Sequence, residues 1–239
     1  MPLLLPLERA ENTREMLDGP APLDERARNL SDVERLNGLF GGRLLTVRHV
    51  ARLLSRHPAG RPVTVLDVGT GSADFPRALV RWARRAGRPI RVVALDSDAD
   101  TLQIARRAAA RYPEIVFLQG DALALPVRPE GVDVVISALT LHHLEPEAAA
   151  RYLAEMDAAA RLGLVVNDLV RGRGAWLLVW LATRLLARSP MSRHDGPLSV
   201  RRAYTPEETR ALCEKAGCFD ARVFRYPPLV RLCVVRGTR

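Results

Sequence analysis

Two adjacent histidines, His142 and His143, follow an apolar run at 132–137 that reads as a buried strand. A neutral imidazole near pH 7 can take a proton from a hydroxyl. The pair is therefore a candidate general base, with His142 the first choice and His143 the second. Asp168, just after the apolar run 164–167, could orient the resulting imidazolium, or simply cap the next turn. One of the histidines could instead only pack at the strand end. The same three side chains are of metal-ligand type, but they lack the tight spacing of a metal motif, and no metal is expected.

A second constellation is Val65-Leu66-Asp67-Val68-Gly69-Thr70-Gly71-Ser72. Gly69 and Gly71 let the chain turn sharply at the end of a strand and let a ligand approach the backbone. A dinucleotide site prefers a small third residue where this chain has Asp74. A carboxylate there repels a diphosphate but suits a ligand whose near end is cationic. Asp67 could hold that cationic end, directly or through water, or serve as a turn cap. Asp96, with Ser97 beside it, ends the next apolar run and could accept both hydroxyls of a ribose. Asp121 beside the small Ala122 could bond an adenine amino group and leave room for the ring; it too could be a local cap.

The elements that must carry these residues alternate from residue 61 onward. Strands are expected at 63–68, 90–95, 115–118, 132–137 and 164–167, with helices at 76–86, 98–111, 146–160 and 174–187. Asp98 is the expected N-cap of the second of these helices. Thr205-Pro206-Glu207-Glu208 opens a further helix. A Ser-, Pro- and Gly-rich stretch before it reads as a loop, with residues 193–197 as a turn. Residues 219–225 and 229–235 are separated too briefly for a parallel crossover and must form an antiparallel hairpin. The fold class expected is thus α/β: a Rossmann-like, mostly parallel sheet with its last strand antiparallel and helices on both faces. Helices at 24–40 and 43–57 precede the first strand. The chain divides into an N-terminal helical extension, 1–42, and the sheet domain, 43–239.

The ordered series from Asp67 to His143 resembles the UbiE-like (type 11) class I S-adenosylmethionine-dependent methyltransferases, over roughly residues 36–236. Within that family the chain is similar to the phenolic or quinol methyltransferases encoded beside type III polyketide synthases. The resemblance implies S-adenosyl-L-methionine as cofactor. It places Asp67, Gly69 and Gly71 at the methionine part, Asp96 at the ribose, and Asp121 and Ala122 at the adenine, with Ser97 also among the cofactor contacts. Leu139, after the fourth strand, would lie near the cofactor, and the N-terminal helices would form a lid. Where the family often has a third glycine, this chain has Ala73. The reaction implied is methyl transfer to a small acceptor, aromatic, phenolic or lipid-tailed, with an oxygen as the favoured nucleophile.

Acceptor binding is expected in the apolar helix and the loop after it, with Trp176, Trp180 and His194 as candidates. A Trp stripe is equally the mark of core packing, and His194 of plain surface. That helix could also lie on a membrane surface. The net charge of +9 comes from scattered arginines, with Lys215 the only lysine. Without a dense basic block, nucleic acid is not an expected partner. The three cysteines, Cys213, Cys218 and Cys233, form no disulfide framework and suit buried thiols in a reducing compartment. No run reaches a membrane span, and a cytoplasmic location is expected. Two other classes fit parts of the pattern. An NAD(P)-dependent oxidoreductase is opposed by Asp74 and the hairpin, and an RNA methyltransferase is favoured by charge alone.

Overall fold

The structure, a computed structural model, describes residues 7–58 and 60–237. Residues 1–6, apolar and proline-containing, lie outside the described residues. Seven strands form one sheet: β1 (Val63–Val68), β2 (Ile90–Asp96), β3 (Ile115–Gln119), β4 (Val132–Ala138), β5 (Ala160–Leu169), β6 (Arg222–Tyr226) and β7 (Arg231–Gly237). Their order is β3-β2-β1-β4-β5-β7-β6. All pairings are parallel except those of β7, which runs antiparallel to β5 and β6. The hairpin follows from a short 3-10 turn at Pro227–Leu229 that reverses the chain.

The β1 sequence is apolar on both faces because helices cover both. Val63 and Val65 pack with α2 (Gly42–Leu53) and α3 (Asp74–Arg85) through Val50, Leu79 and Val80. Leu66 and Val68 pack on the other side with α5 (Pro146–Ala159) and α8 (Pro206–Lys215) through Tyr152, Met156 and Leu212. α4 (Ala99–Ala108) begins where Asp98 accepts the backbone N–H of Thr101, and α8 begins with a full capping box between Thr205 and Glu208. The three cysteines are buried and unpaired.

A helical layer crosses the C-terminal edge of the sheet. It consists of α1 (Leu23–Leu39), α6 (Arg173–Leu186) and α7 (Pro190–Arg202), joined by a strap at residues 7–22. α7 corrects the sequence reading, which took this stretch as a loop and 193–197 as a turn. Pro190 stands in the first turn, where a missing N–H costs nothing, and only Pro197 lies inside the helix. Gly196 is there for close approach: a Cβ on it would meet Thr183 Cγ2 of α6 at 2.6 Å. Burial of Met191, Ser199 and Val200 outweighs the local turn preference. No described helix is long and apolar enough to cross a membrane.

Candidate active site

The sheet order reverses between β1 and β4, so the loops leaving these two strands diverge and open a crevice at their C-terminal ends. A cavity of about 790 Å³ occupies that crevice. Gly69 and Gly71 line it in left-handed conformation, with φ of 73° and 54°. At Gly69 a Cβ would also lie 2.4 Å from Thr140 Oγ1, so the two loops can approach only with glycine there. Ala73, at φ 59°, takes the same strained region just before α3. Asp96 lines the cavity and accepts the backbone N–H groups of Gly71 (3.0 Å) and Asp98 (3.2 Å), one on each oxygen. Each oxygen keeps lone-pair capacity for a further donor. Ser97, Asp121 and Ala122 line the far end; Asp121 also accepts the Leu123 N–H at 2.8 Å, the local turn bond that its type allows.

Asp67 differs from the others, because it lies beneath the cavity rather than in its wall. It is 1% exposed and accepts the Thr70 hydroxyl at 2.6 Å, while Thr70 itself faces the cavity. Burial, assisted by Asp74 and Asp96, pushes its carboxyl up to about 7 against the Thr70 bond. Burial likewise raises Asp74 to about 6, although Asn37 Nδ2 donates to it at 3.2 Å. With Asp67 beneath the glycine loop and Asp74 in the cavity wall, two carboxylates stand where a cation would favour their ionised forms.

The histidines lie at the end of β4 beside the end of β5. The register pairs Ala138 with Asn167, so the residues just beyond meet across the strand ends. His142 is 2% exposed. Its Nδ1 is 2.7 Å from Asp168 Oδ1, and Asp168 also accepts the backbone N–H groups of His142 and Leu169. Its Nε2 lies 3.4 Å from Glu15 Oε1 of the strap. Burial alone would lower this imidazole, but Asp168 and Glu15 outweigh it and hold it up to about 10. Both carboxylates are held low against their own burial, Glu15 by His143 and His142 and Asp168 by His142. With both carboxylates beside it, the protonated form of His142 is the favoured one, whereas the expectation from sequence was a neutral base there. His143 is the more open of the two; its Nδ1 is 3.0 Å from Asp18 and its Nε2 is 3.9 Å from Glu15. The two rings lie 4.3 Å apart.

A second, smaller cavity of about 110 Å³ adjoins the first. Leu17, Val33, Asn37, Leu139 and His143 border both. Leu139 holds this junction in left-handed conformation, φ 57°. The second cavity has apolar walls from Leu36, Phe40, Leu169 and Val179, with His142 and Arg231 among its polar members. Arg231 is 2% exposed, donates to Asn37 Oδ1 at 2.7 Å, and leaves Nε and Nη1 without a hydrogen-bond partner. Trp176, Trp180 and His194 border neither cavity. Trp176 packs among α6, α1 and α7; Trp180 stacks with it and is 36% exposed. His194 lies on the outer side of α7, ion-paired to Asp195. α6 keeps its two tryptophans off the cavities and points Val179 inward instead, and α7 carries His194 outward.

Glu15, Asp18 and Arg231 join the site only through the fold. The strap residues carry no periodicity that would mark them. Arg231 did leave a trace, as one arginine interrupting the apolar run from Leu229 to Val235.

The seven-stranded sheet with one reversed strand, and a crevice at its switch point, define the class I methyltransferase fold. Residues 65–163 match a family described as a methyltransferase domain. The chain is 31% identical over 188 residues to the 2-phytyl-1,4-naphtoquinone methyltransferase of Thermosynechococcus vestitus, covering 72% of this chain and 78% of that one. It is 33% identical over 172 residues to the demethylmenaquinone methyltransferase of Roseiflexus castenholzii, covering 65% and 67%. Among solved structures, human N-acetylserotonin methyltransferase in complex with S-adenosylmethionine is similar with a TM-score of 0.64 at 16% identity, covering 91% and 57%. An S-adenosylmethionine-dependent methyltransferase of Aquifex aeolicus gives 0.54 at 21%, covering 77% and 86%. The chain belongs to the UbiE-like class I S-adenosylmethionine-dependent methyltransferases. It is an enzyme of that class, and S-adenosylmethionine is its cofactor.

The residues of the larger cavity fit that cofactor. Asp96 has acceptor capacity for ribose hydroxyls, Asp121 and Ala122 offer an acceptor beside open space, and Asp67 and Asp74 underlie the glycine loop where a cationic methionine end would sit.

Proposed function

We propose that the enzyme methylates an oxygen of a phenol- or quinol-type aromatic acceptor bearing an apolar substituent. The observation that carries this reading is the apolar cavity that shares five wall residues with the cofactor crevice. Its apolar walls and volume of about 110 Å³ suit a single ring, with the apolar substituent extending beyond it, while Arg231 brings two unpartnered donors for an oxygen substituent. The names of the relatives, a naphthoquinone and a demethylmenaquinone methyltransferase, support an acceptor of this kind.

In the reaction, the hydroxyl passes its proton to His143, the imidazole of the cluster that borders both cavities. An oxygen lone pair then forms the O–C bond while the C–S bond breaks, its electron pair returning to sulfur. The cofactor supplies the activated methyl group, and the protein's task is chiefly positioning and exclusion of water. His142, fixed by Asp168, orients the cluster and supplies positive charge; His143 faces the acceptor at the junction.

The strap and α1 act in this reading as the lid, since Leu17, Leu30 and Val33 roof the crevice. An exposed apolar stripe on α6, with Leu177, Trp180, Leu181 and Leu185, is the surface suited to drawing a lipid-tailed acceptor from a membrane. The test is turnover with labelled S-adenosylmethionine on a panel of alkylated resorcinols and hydroquinones, with product analysis by mass spectrometry. Transfer to oxygen of the tailed members supports the proposal. Transfer only to untailed acceptors, or to ring carbon, overturns it.

A further inference from the structure

The cluster at the junction has more organisation than a proton acceptor requires. Two histidines and one carboxylate, His142, His143 and Glu15, present ligand atoms that all lie within 4.8 Å of one another. Both imidazoles turn the same nitrogen inward. His142 Nε2 is 3.4 Å from Glu15 Oε1, and His143 Nε2 is 3.9 Å from Glu15 Oε2. Two ligands each roughly 2.1 Å from an ion and disposed at a tetrahedral angle stand about 3.4 Å apart. The His142–Glu15 separation matches this spacing, and the His143 pair, on the other carboxylate oxygen, stands somewhat wider.

The outward nitrogens have matching partners. Nδ1 of His142 meets Asp168 at 2.7 Å, and Nδ1 of His143 meets Asp18 at 3.0 Å. A carboxylate behind each ligating histidine fixes the tautomer and raises the basicity of the ring; an ion entering the cluster displaces to solvent the proton that His142 otherwise holds against Glu15, which frees the Nε2 lone pair. One such pair is common in proteins. Two adjacent histidines, each backed by its own carboxylate and both aimed at a third, form an arrangement with both shells of a metal centre. The shell extends further: Ser199 Oγ donates to Glu15 Oε1 at 2.8 Å, and Asp195 binds the backbone N–H groups of Met16 and Leu17, fixing the strap that delivers Glu15.

We propose that Glu15, His142 and His143 bind a divalent transition-metal cation, with Asp168 and Asp18 as its supporting carboxylates. Two nitrogens and one oxygen select a first-row ion of the zinc, iron or manganese kind over magnesium or calcium. Three protein ligands leave coordination positions open, as in catalytic rather than structural centres. All three ligands border the apolar cavity, and His143 also borders the cofactor crevice, so the open side faces the place where the two substrates meet. This deepens the proposed function and rests on it for the role of the ion: an acceptor hydroxyl there would bind the cation as its anion, its proton passing to solvent, with the oxygen lone pair left for the methyl group. His143 then holds the ion and not the proton.

The experiment separates binding from turnover. Full-length protein stripped with a chelator is titrated calorimetrically with zinc chloride and, separately, manganese chloride, without acceptor; bound metal is counted by elemental analysis after desalting. The expected result is one ion per chain. Affinity should fall at least about tenfold in Glu15→Gln and His143→Ala, and about 10–100-fold in Asp18→Asn. His194→Ala, a surface histidine away from the cluster, should bind as wild type. Cobalt substitution should give a visible absorption band that His143→Ala abolishes. If Glu15→Gln fails to fold, Asp18→Asn at a partly exposed position carries the comparison. No stoichiometric binding overturns the proposal, as does binding that the three cluster variants leave unchanged. Ion binding without activity on any phenolic acceptor would leave the site standing and remove the proposed acceptor class.

Discussion

Asp67 allows a quantitative test of the cofactor seat. Its carboxyl is raised to about 7 because it is buried beneath the glycine loop next to Asp74 and Asp96. A cationic methionine end favours the ionised form, so binding and deprotonation are linked. With Asp67 near 7, only about one molecule in ten is ionised at about pH 6, so affinity there should be roughly tenfold, or about 1.4 kcal/mol, weaker than at about pH 8. Asp74, near 6, steepens the acid side. Calorimetric titration with adenosylhomocysteine, which keeps the ammonium group, measures the slope. Asp67→Asn should weaken binding at about pH 8 and flatten the profile above pH 6 or so. The linkage also fixes the sign for the protein without cofactor. The folded state holds protons that the unfolded chain releases from about pH 4 upward, so the unfolding free energy contributed by these groups falls as pH rises to about 7. An affinity constant within twofold between about pH 6 and 8, or an unchanged slope in Asp67→Asn, would refute the reasoning.

Three further outcomes are expected. Asp96→Ala should weaken cofactor binding by about 1.5–3 kcal/mol through loss of charge-assisted bonds, while the midpoint of thermal unfolding without cofactor changes less than its cofactor-induced rise; calorimetry and melting curves read both. Gly196→Ala places a Cβ 2.6 Å from Thr183 Cγ2 and should cost about 1–3 kcal/mol in denaturant titration, with acceptor KM rising as α6 and α7 separate. Replacing Leu177, Trp180 and Leu181 together by serine should lower sedimentation with anionic lipid vesicles while leaving adenosylhomocysteine affinity unchanged; equal sedimentation would remove the membrane role of α6.

Much of the architecture was legible because it rests on local rules. β1 matched residue for residue, since a strand buried on both faces is a continuous apolar run ended by glycines. The Asp98 cap, the Thr205 box and the antiparallel hairpin each follow from a few neighbouring residues. The cofactor crevice was legible for the same reason, because its candidate residues stand at strand ends. The acceptor side was not. α7 forms against its composition because Gly196 and its buried neighbours fit the surface of α6, which no local pattern encodes. The Trp176 and Trp180 stripe marked a helix face correctly but not which way it faces. Glu15 lies 127 positions before His142 in a polar segment, and only the folded chain brings them together. That carboxylate, after Asp168, also favours the charged form of His142.

The strap has one consequence for the order of events. Leu17, Asp18, Gly19, Pro20 and Ala21 wall the cofactor crevice, and Glu15, a few residues earlier in the same backbone, completes the histidine cluster. A single segment therefore closes one compartment and assembles the other. Spent cofactor leaving past a lifted strap would take Glu15 with it and disband the cluster at the same moment. An acceptor waiting in the apolar cavity would meet competent chemistry only after fresh cofactor is enclosed. In the proposed reaction such a linkage would make turnover sequential, cofactor before acceptor, and would keep a phenolate from forming when no methyl group is at hand.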